Sequence, residues 1–472
     1  MPQKAAIYLH NLELKDYKSF NGDFNFDFSS DIGNIENKFY YIPQCTVLLG
    51  DNGTGKTNIL KVIANLQPEL VNIQDVETNN EITDYHLKIE ITNDNAQSAT
   101  DDGDKPSKQF RPVVYERVAR GKYQAYMSYL VYNGTIKKIN RISFKPYGNS
   151  QSFNNFGTQY DAFSPYRLGY GSTVNFVEYD ASLLSEVKIY AYGVNRFADY
   201  KRNLNSTNLA ESLFHNDCPL INLEEWLMQL EIASNDTLQG KKAQNRIRQI
   251  KKILSKSNLF PDVTDYRLVT DDNLNSSIQF ITKFGELPYH ALGYGYQCMM
   301  AWVFDFMKKM FDRYPDSDNP LSEPAILLID EIDLHLHPNW QRHVLRDLCD
   351  LFPATQIIVS THSPLVIQSA SSMNLFLLTN ENGCSKVEKY PTKTFQGWSV
   401  EEILNELMIM GNDTRSDEYQ RLRNAFEHAM NEGDVKNGIK YYSLLKDMLY
   451  PGSAEREILD IDYNLLKSSN HD

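Results

Sequence analysis

Apolar positions recur along this chain with a period that changes from segment to segment. Near the N-terminus Asn11-Leu12-Glu13-Leu14-Lys15-Asp16-Tyr17 alternates, and Phe24, Phe26 and Phe28 fall on every second residue. Period two over adjacent runs predicts an antiparallel hairpin. Thr46-Val47-Leu48-Leu49 is continuously apolar, as a strand buried on both faces should be, and Asn58-Ile59-Leu60-Lys61-Val62-Ile63 starts a helix. Residues 67–180 alternate strand-like runs with polar turns; 92–108, rich in Asp, Asn, Ser and Lys, and 147–172, rich in Gly, Asn, Ser, Tyr and Phe, predict mobile or partner-contacting loops. Residues 205–262 read as helical. Strand patterning returns over 263–395, including the apolar runs Ala325–Ile329 and Ile357–Val359. The last stretch, 396–472, predicts helices, with Leu422, Phe426, Ala429 and Met430 on one face and Ile439, Tyr442, Leu445 and Leu449 on another. That resembles one helix pair of a repeat protein, too little to bury a solenoid core, so a cap or docking surface is expected.

Composition adds bounds. A chain of 472 residues has room for a large core and two or three domains. Charged residues at 23% and hydrophobic ones at 42% are ordinary for a globular protein. No apolar stretch approaches the roughly 20 residues that span a bilayer. The start, Met-Pro-Gln-Lys, leads into an amphipathic strand and lacks a signal-peptide core. Cys45, Cys218, Cys298, Cys349 and Cys384 are scattered, odd in number and without zinc spacing, which fits a reducing cytoplasm; the lack of an apolar span leads us to expect no membrane association. A net charge of −14 argues against indiscriminate coating of nucleic acid and leaves a local basic groove open.

The chemistry concentrates in three places. Gly50-Asp51-Asn52-Gly53-Thr54-Gly55-Lys56-Thr57 follows the first buried strand and, with Asn58, opens the helix. Glycines let the backbone curl so that its N–H groups converge on phosphate oxygens. Lys56 brings a cation to the β/γ-phosphates, and the Thr57 hydroxyl reaches Mg²⁺. The positive end of the helix faces the same anion. Far downstream, Pro324-Ala-Ile-Leu-Leu-Ile-Asp330-Glu331 reads as a buried strand with acids at its C-terminal tip, where ligands sit in open α/β sheets. Asp330 would hold Mg²⁺ and Glu331 would polarise the attacking water. Gln356-Ile-Ile-Val-Ser-Thr-His362-Ser-Pro364 is another buried strand with a polar tip, from which His362 can reach a γ-phosphate.

The order of these pieces resembles the ATP-binding cassette ATPases. Asp333-Leu334-His335-Leu336-His337-Pro338 narrows the likeness to the soluble group containing RecF, SMC and overcoming-lysogenization-defect ATPases, since transporter motors normally continue Asp-Glu-Pro. Leu292-Gly293-Tyr294-Gly295-Tyr296-Gln297 resembles the family's signature Leu-Ser-Gly-Gly-Gln, with Gly293 where a Ser usually contacts the partner's γ-phosphate. Gly397-Trp398-Ser399-Val400-Glu401-Glu402-Ile403-Leu404 and Thr414-Arg415-Ser416 extend the resemblance to the ATPase subunits of Septu and retron-linked antiphage systems.

The resemblance implies an α/β fold, a P-loop ATPase head whose mixed sheet is flanked by helices. The head's N-terminal part would be 1–204 and its C-terminal part 263–395, with an inserted helical subdomain at 205–262 and a helical tail at 396–472. It implies ATP and Mg²⁺ as ligands. Gly293, Gly295 and Gln297 of one chain would close on the nucleotide of a second, giving a homodimer or higher oligomer. A regulatory ATPase controlling a separate HNH-type nuclease is the leading function. A stand-alone, RecF- or SMC-like DNA-binding ATPase in repair is the alternative, and a transporter motor is disfavoured by the insertions.

Three further features carry two readings each. Lys241, Lys242, Arg246, Arg248, Lys251, Lys252 and Lys256 interleave with Ile247, Ile250, Ile253 and Leu254, an amphipathic helix with a cationic outer face. It is either a solvated surface or a contact for nucleic acid or an acidic partner. Ala191-Tyr-Gly-Val-Asn195-Arg196 follows an apolar run and is either a simple turn or a nucleotide-sensing loop using Asn195 or Arg196. Asp460 and Asp462 suggest either a nuclease pair or, more in keeping with so short a tail, buried or capping acids. His335, His337 and His343 with Cys349 have the residue types of a metal site, but two of them belong to the family-like loop, and a metal is not expected there.

Overall fold

The computed structural model describes residues 6–32, 39–41, 43–65, 85–88, 114–117, 124–132, 188–198, 209–256, 258–370, 373–393, 395–408 and 415–468. The expected loops at 92–108 and 147–172 lie outside these residues. Two compact units divide the chain, Met1–Gly397 and Trp398–Asp472.

In the first unit β1 (Ala6–Tyr17) and β2 (Phe20–Asp27) form the expected antiparallel hairpin, with Leu12 opposite Phe26 and Leu14 opposite Phe24. Short pairs follow: β3 (Ser30–Ile32) with β4 (Phe39–Tyr41), then, after β5 (Cys45–Gly50) and α1 (Lys56–Asn65), β6 (Tyr85–Lys88) with β7 (Val114–Arg117). Strand β8 (Gln124–Tyr132) returns to pair with β1. Next come β9 (Ile189–Tyr192) and the helices α2 (Glu211–Phe214), α3 (Leu223–Ala233) and α4 (Gly240–Lys256). Strands β10 (Val263–Thr270), β11 (Ser276–Thr282) and β12 (Gly285–Pro288) form a separate antiparallel sheet leading into α5 (Tyr294–Arg313). The rest of the unit holds β13 (Ala325–Ile329), α6 (Pro338–Gln341), α7 (Val344–Leu351), β14 (Thr355–Thr361), α8 (Pro364–Ser369), β15 (Met373–Glu381) and β16 (Cys384–Lys393).

The central sheet has the order β16-β15-β5-β14-β13-β9. All its neighbours are parallel except the β15–β16 pair. This is the mixed sheet flanked by helices that the resemblance implied. Strands β5, β13 and β14 are buried along their whole length, which explains why they read as unbroken apolar runs. Period two sorts their neighbours onto two layers. On one face Ile189, Ala191, Ile326, Leu328, Leu48 and Phe376 share a core with α1 and with Leu12, Leu14, Phe20 and Phe26 of the hairpin. On the other, Tyr190 and Tyr192 meet Phe306 and Trp302 of α5, at ring centroid distances of 5.0 and 5.7 Å.

A polar knot ties α5 to β9. The buried Asp305 carboxylate accepts from Tyr192 Oη at 2.7 Å and pairs with Lys309 at 2.8 Å. Burial, then the Asp305 charge, pushes the Tyr192 hydroxyl well up. An ion pair this deep adds little net stability, but removing one partner would strand a buried charge, so it fixes the register of α5 on the sheet.

The second unit contains α9 (Val400–Ile403), α10 (Asp417–Glu432), α11 (Val435–Met448) and α12 (Ala454–Ser468). Ser399 and Glu402 close a capping box on α9, and Gly433 ends α10 in the left-handed conformation. Tyr419, Leu422, Phe426, Leu445 and Leu459 form its core. The third long helix, α12, supplies what a lone pair would lack. Ile439, expected on an apolar face, is exposed instead. Asp460 accepts from Tyr442 and Lys446 at 2.6 and 2.9 Å, and Asp462 pairs with Arg423 at 3.2 Å. These acids neither cap helices nor lie buried; they cross-link helices.

Candidate nucleotide site

The parallel order places the C-terminal tips of β5, β14, β13 and β9 side by side, and every motif of the first unit except the signature segment sits on one of them. Gly50 ends β5 with φ +155°, and Gly53 and Gly55 have φ +81° and +101°. A Cβ on Gly50 would lie 2.1 Å from the Leu378 carbonyl oxygen, and one on Gly55 would lie 2.7 Å from the Phe20 ring. The loop is therefore pressed between β15 and the hairpin, and only glycine keeps it open toward a ligand. Gly50→Ala is expected to cost about 3 kcal/mol of folding stability from overpacking and backbone strain. Urea unfolding reads this as a lower midpoint, and an unchanged midpoint would refute the confinement. Asp51, Asn52 and Gly53 are exposed at the loop tip, while Thr54 is buried and donates to the Asp51 carbonyl at 2.8 Å. Asn58 accepts from Lys18 at 2.8 Å and so faces the hairpin.

Lys56 is 5% exposed. Its ammonium donates to the carbonyls of Gly50 at 2.7 Å and Asp51 at 2.9 Å and meets His362 Nε2 at 3.0 Å. A protonated lysine has no lone pair to offer, so His362 accepts through Nε2 and carries its proton on Nδ1. Burial lowers the Lys56 pKa, and the charges of Asp330, Glu331, Asp51 and Asp333 oppose that shift. Thr57 donates to Asp330 Oδ2 at 2.8 Å, and Ser360 donates to Asp330 Oδ1 at 2.5 Å. The Thr57 hydroxyl and the Asp330 carboxylate are the oxygen donors a hard divalent cation takes, and here they already converge. The loop curl, the ammonium bonded only to main-chain and imidazole acceptors, and this oxygen pair together fit a metal-bound triphosphate.

The loop after Glu331 is held from β14. Ser360 Oγ accepts from the Glu331 N–H at 2.7 Å, and Thr361 donates to Asp333 at 2.5 Å. His337 caps α6 by accepting from the Asn339 N–H at 3.2 Å. Among the described residues no group of three or more His, Cys, Asp or Glu is placed to hold a metal ion.

The signature segment is elsewhere. Gly293 is the N-cap residue of α5. A Cβ on Gly295 would strike the His335 carbonyl at 2.5 Å, and Tyr294 stacks edge-on against His335 at 4.7 Å. Gln297 spends its amide on the carbonyls of His290 and Leu292 at 3.1 and 2.7 Å. That amide shapes the turn before α5 and does not point toward a ligand of its own chain. Gly295 thus lies against the loop after Glu331, and Gly293 and Gln297 shape the start of α5; none of the three has a bond to the Lys56 cluster among the described contacts.

Nothing in the local sequence marks Ser360, in the polar tip of β14, for the role it takes here. The sequence alone weighs Asn195 and Arg196 equally. Asn195 is exposed and bonds the Asn216 carbonyl at 3.2 Å, whereas Arg196 is buried beneath Asp330 and Glu331.

The family model for the AAA ATPase domain matches residues 8–367. The chain belongs to that family. It is 31% identical over 185 residues to Septu protein PtuA of Bacillus thuringiensis, covering 38% of this chain and 46% of that protein. It is 24% identical over 427 residues to the retron Vc95 probable ATPase of Vibrio cholerae serotype O1 biovar El Tor, covering 79% and 74%. The chain therefore spans under half the length of the Septu relative. Among solved structures, an Smc head bound to the C-winged helix domain of ScpA aligns with 81% of this chain and 98% of that chain, at TM-score 0.38 and 16% identity. RecF covers 82% and 100%, at TM-score 0.34 and 9% identity. The expected resemblance, ATPase class and α/β fold are borne out, and a nucleotide is the family's ligand. Among the described residues, no helix is long and apolar enough to cross a membrane.

Proposed function

We propose that this AAA-family chain binds ATP with Mg²⁺ at the Gly50–Asn58 loop and hydrolyses it as the regulatory ATPase of a cytoplasmic antiphage system. The observation that carries the chemistry is the meeting of Lys56, Thr57, Asp330, Ser360 and His362 at the tips of three adjacent parallel strands. Lys56 would exchange its carbonyl partners for β- and γ-phosphate oxygens. Thr57 and Asp330 would hold Mg²⁺, which supplies charge neutralisation on the phosphates when bound. Glu331 accepts a proton from the attacking water as that oxygen bonds the γ-phosphorus; the β–γ bridging bond breaks, leaving ADP and phosphate. With Lys56 turned to the phosphates, Nε2 of His362 is released from the lysine and, once it carries the ring proton, would donate to the γ-phosphate and register its loss. A second copy would close Gly293 and Gly295, at the N-terminus of its α5, over this phosphate, so that ATP joins two chains.

The system is suggested by the names of the relatives, Septu and retron ATPases. An HNH-type nuclease held by the ATPase dimer is the partner this reading requires. Co-expression with such a nuclease should yield one complex whose mass or activity changes with ATP. A nuclease that never co-purifies with the chain would defeat the defence reading while leaving the ATPase intact.

The alternative, an ATPase that itself binds DNA, is favoured by one surface. On α4 the acid-free run from Gly240 to Lys256 carries Lys241, Lys242, Arg248, Lys252 and Lys256 outward. Arg248, Lys252 and Lys256 repeat every four residues, about 6 Å apart along the axis. They border a 590 Å³ groove also lined by Gln244, Lys251 and Ser255, with Glu231 and Asp265 as its acids. Two of the expected cations are engaged within the chain. Arg246 donates to the Phe311 carbonyl at 2.8 Å, and Lys251 bonds the Tyr266 carbonyl at 2.9 Å and pairs with Asp265 at 3.2 Å. Arg248→Glu with Lys252→Glu is therefore expected to weaken duplex DNA binding and reduce its log–log salt slope by about 2, with ATP turnover unchanged. Equal salt slopes in a titration series would exclude this face.

A further inference from the structure

Glu331 stands where the strand ladder ends. Asp330 still donates its N–H to the Tyr192 carbonyl of β9 at 2.9 Å, continuing the parallel pairing. Glu331 then turns into the left-handed region at φ +45°, which a residue with a Cβ rarely adopts. In that conformation its peptide groups leave the register of both neighbouring strands. Two side chains take the places of the missing ladder partners. From β14, Ser360 Oγ accepts the Glu331 N–H at 2.7 Å. From the loop after β9, Arg196 donates through one terminal nitrogen to the carbonyls of Asp330 and Glu331, the latter at 2.8 Å, while its Nε donates to the Gly193 carbonyl at 2.7 Å.

Arg196 is a guanidinium at 5% exposure whose hydrogen bonds go to main-chain oxygens. Burial lowers its pKa to about 10, so it stays charged at neutral pH. The fork geometry matters, because an ammonium is a point donor and cannot bridge two strand tips in this way. Burial raises the pKa of the Cys298 thiol, one turn into α5, and the Tyr294 hydroxyl and the Arg196 charge offset part of that rise. Tyr294 of the signature segment bonds the same sulfur. Arg196 thus joins the loop after β9 to the acid-bearing turn.

We propose that Arg196 is a positioning residue that clamps the main chain of Glu331 in its left-handed conformation, fixing the direction of the catalytic carboxylate. This rests on the ATPase reading above, but it assigns Arg196 no contact with nucleotide. The expected consequence is a split between parameters. Arg196→Lys should lower kcat about 10- to 100-fold, as a misdirected catalytic group does, with KM and nucleotide affinity within about threefold of wild type. Arg196→Ala should behave likewise, and added guanidinium ion should restore part of its turnover.

The test measures wild type, Arg196→Lys and Arg196→Ala for steady-state turnover, fluorescent-ATP affinity and amide hydrogen exchange. The clamp predicts faster exchange in a peptide spanning 326–336, with the 45–57 peptide unchanged. Wild-type kcat in Arg196→Lys together with unchanged exchange over 326–336 overturns the proposal. So does parallel loss of nucleotide affinity and turnover in Arg196→Lys, which a merely structural role would give. If Arg196→Ala does not fold, Arg196→Lys alone decides. A wild-type protein that binds ATP without turning it over would count against the hydrolysis reading, and the exchange result would still decide the clamp.

Discussion

Lys56→Ala is expected to abolish measurable ATP binding at micromolar protein, with affinity falling at least about 100-fold. The ammonium is the buried cation at the phosphate loop, and its three present bonds mark where phosphate oxygens would take over. Charge-assisted hydrogen bonds contribute about 1.5–3 kcal/mol each. Losing two of them therefore exceeds the roughly 2.7 kcal/mol that corresponds to 100-fold. Fold should survive: Lys56 bonds two main-chain carbonyls and a half-buried imidazole, and the buried Asp330 carboxylate keeps its own donors, Thr57 and Ser360. Isothermal titration with ATP and Mg²⁺ is the direct measurement. Affinity within threefold of wild type would place the nucleotide elsewhere.

Glu331→Gln should separate binding from chemistry. The amide keeps the size of the carboxylate and leaves its main-chain bonds to Ser360 and Arg196 intact. It cannot accept the proton of the attacking water, and general-base assistance is worth about 10²–10⁴ in rate. ATP affinity should therefore be retained while kcat falls by that factor. Because hydrolysis is what opens the proposed dimer, the variant should also accumulate as an ATP-dependent dimer in light scattering. Wild-type turnover in Glu331→Gln would remove Glu331 from its role. A monomer at saturating ATP would leave the chemistry standing and remove the two-chain closure. Read beside Arg196→Lys, the variant also distinguishes a lost carboxylate from a misdirected one.

Much of the site was legible because phosphate chemistry restricts local sequence. Three glycines, a lysine and a threonine at fixed spacing are dictated by backbone curvature and by the reach of one side chain, both properties of a few consecutive residues. Continuous apolar runs ending in Asp330-Glu331 and in His362 likewise betray strands buried on both faces. The cationic helix was legible as a period, since Ile250, Ile253 and Leu254 do face inward. Which of its cations remain outward was not, because Arg246 and Lys251 are claimed by the carbonyls of Phe311 and Tyr266, distant in sequence.

The chain's order of residues, taken alone, determined the ligand class, the strands that carry the candidate site groups and the helical character of the tail. Each follows from short-range spacing. The folded structure alone decided that Phe20 of the hairpin closes under Gly55, that Gln297 braces its own turn, that the tail acids cross-link helices, and that Arg196 rather than Asn195 meets the acid-bearing turn. Those outcomes depend on which strand lies beside which. A sheet order of β5-β14-β13-β9 joins segments up to more than three hundred residues apart, and no local period encodes that adjacency.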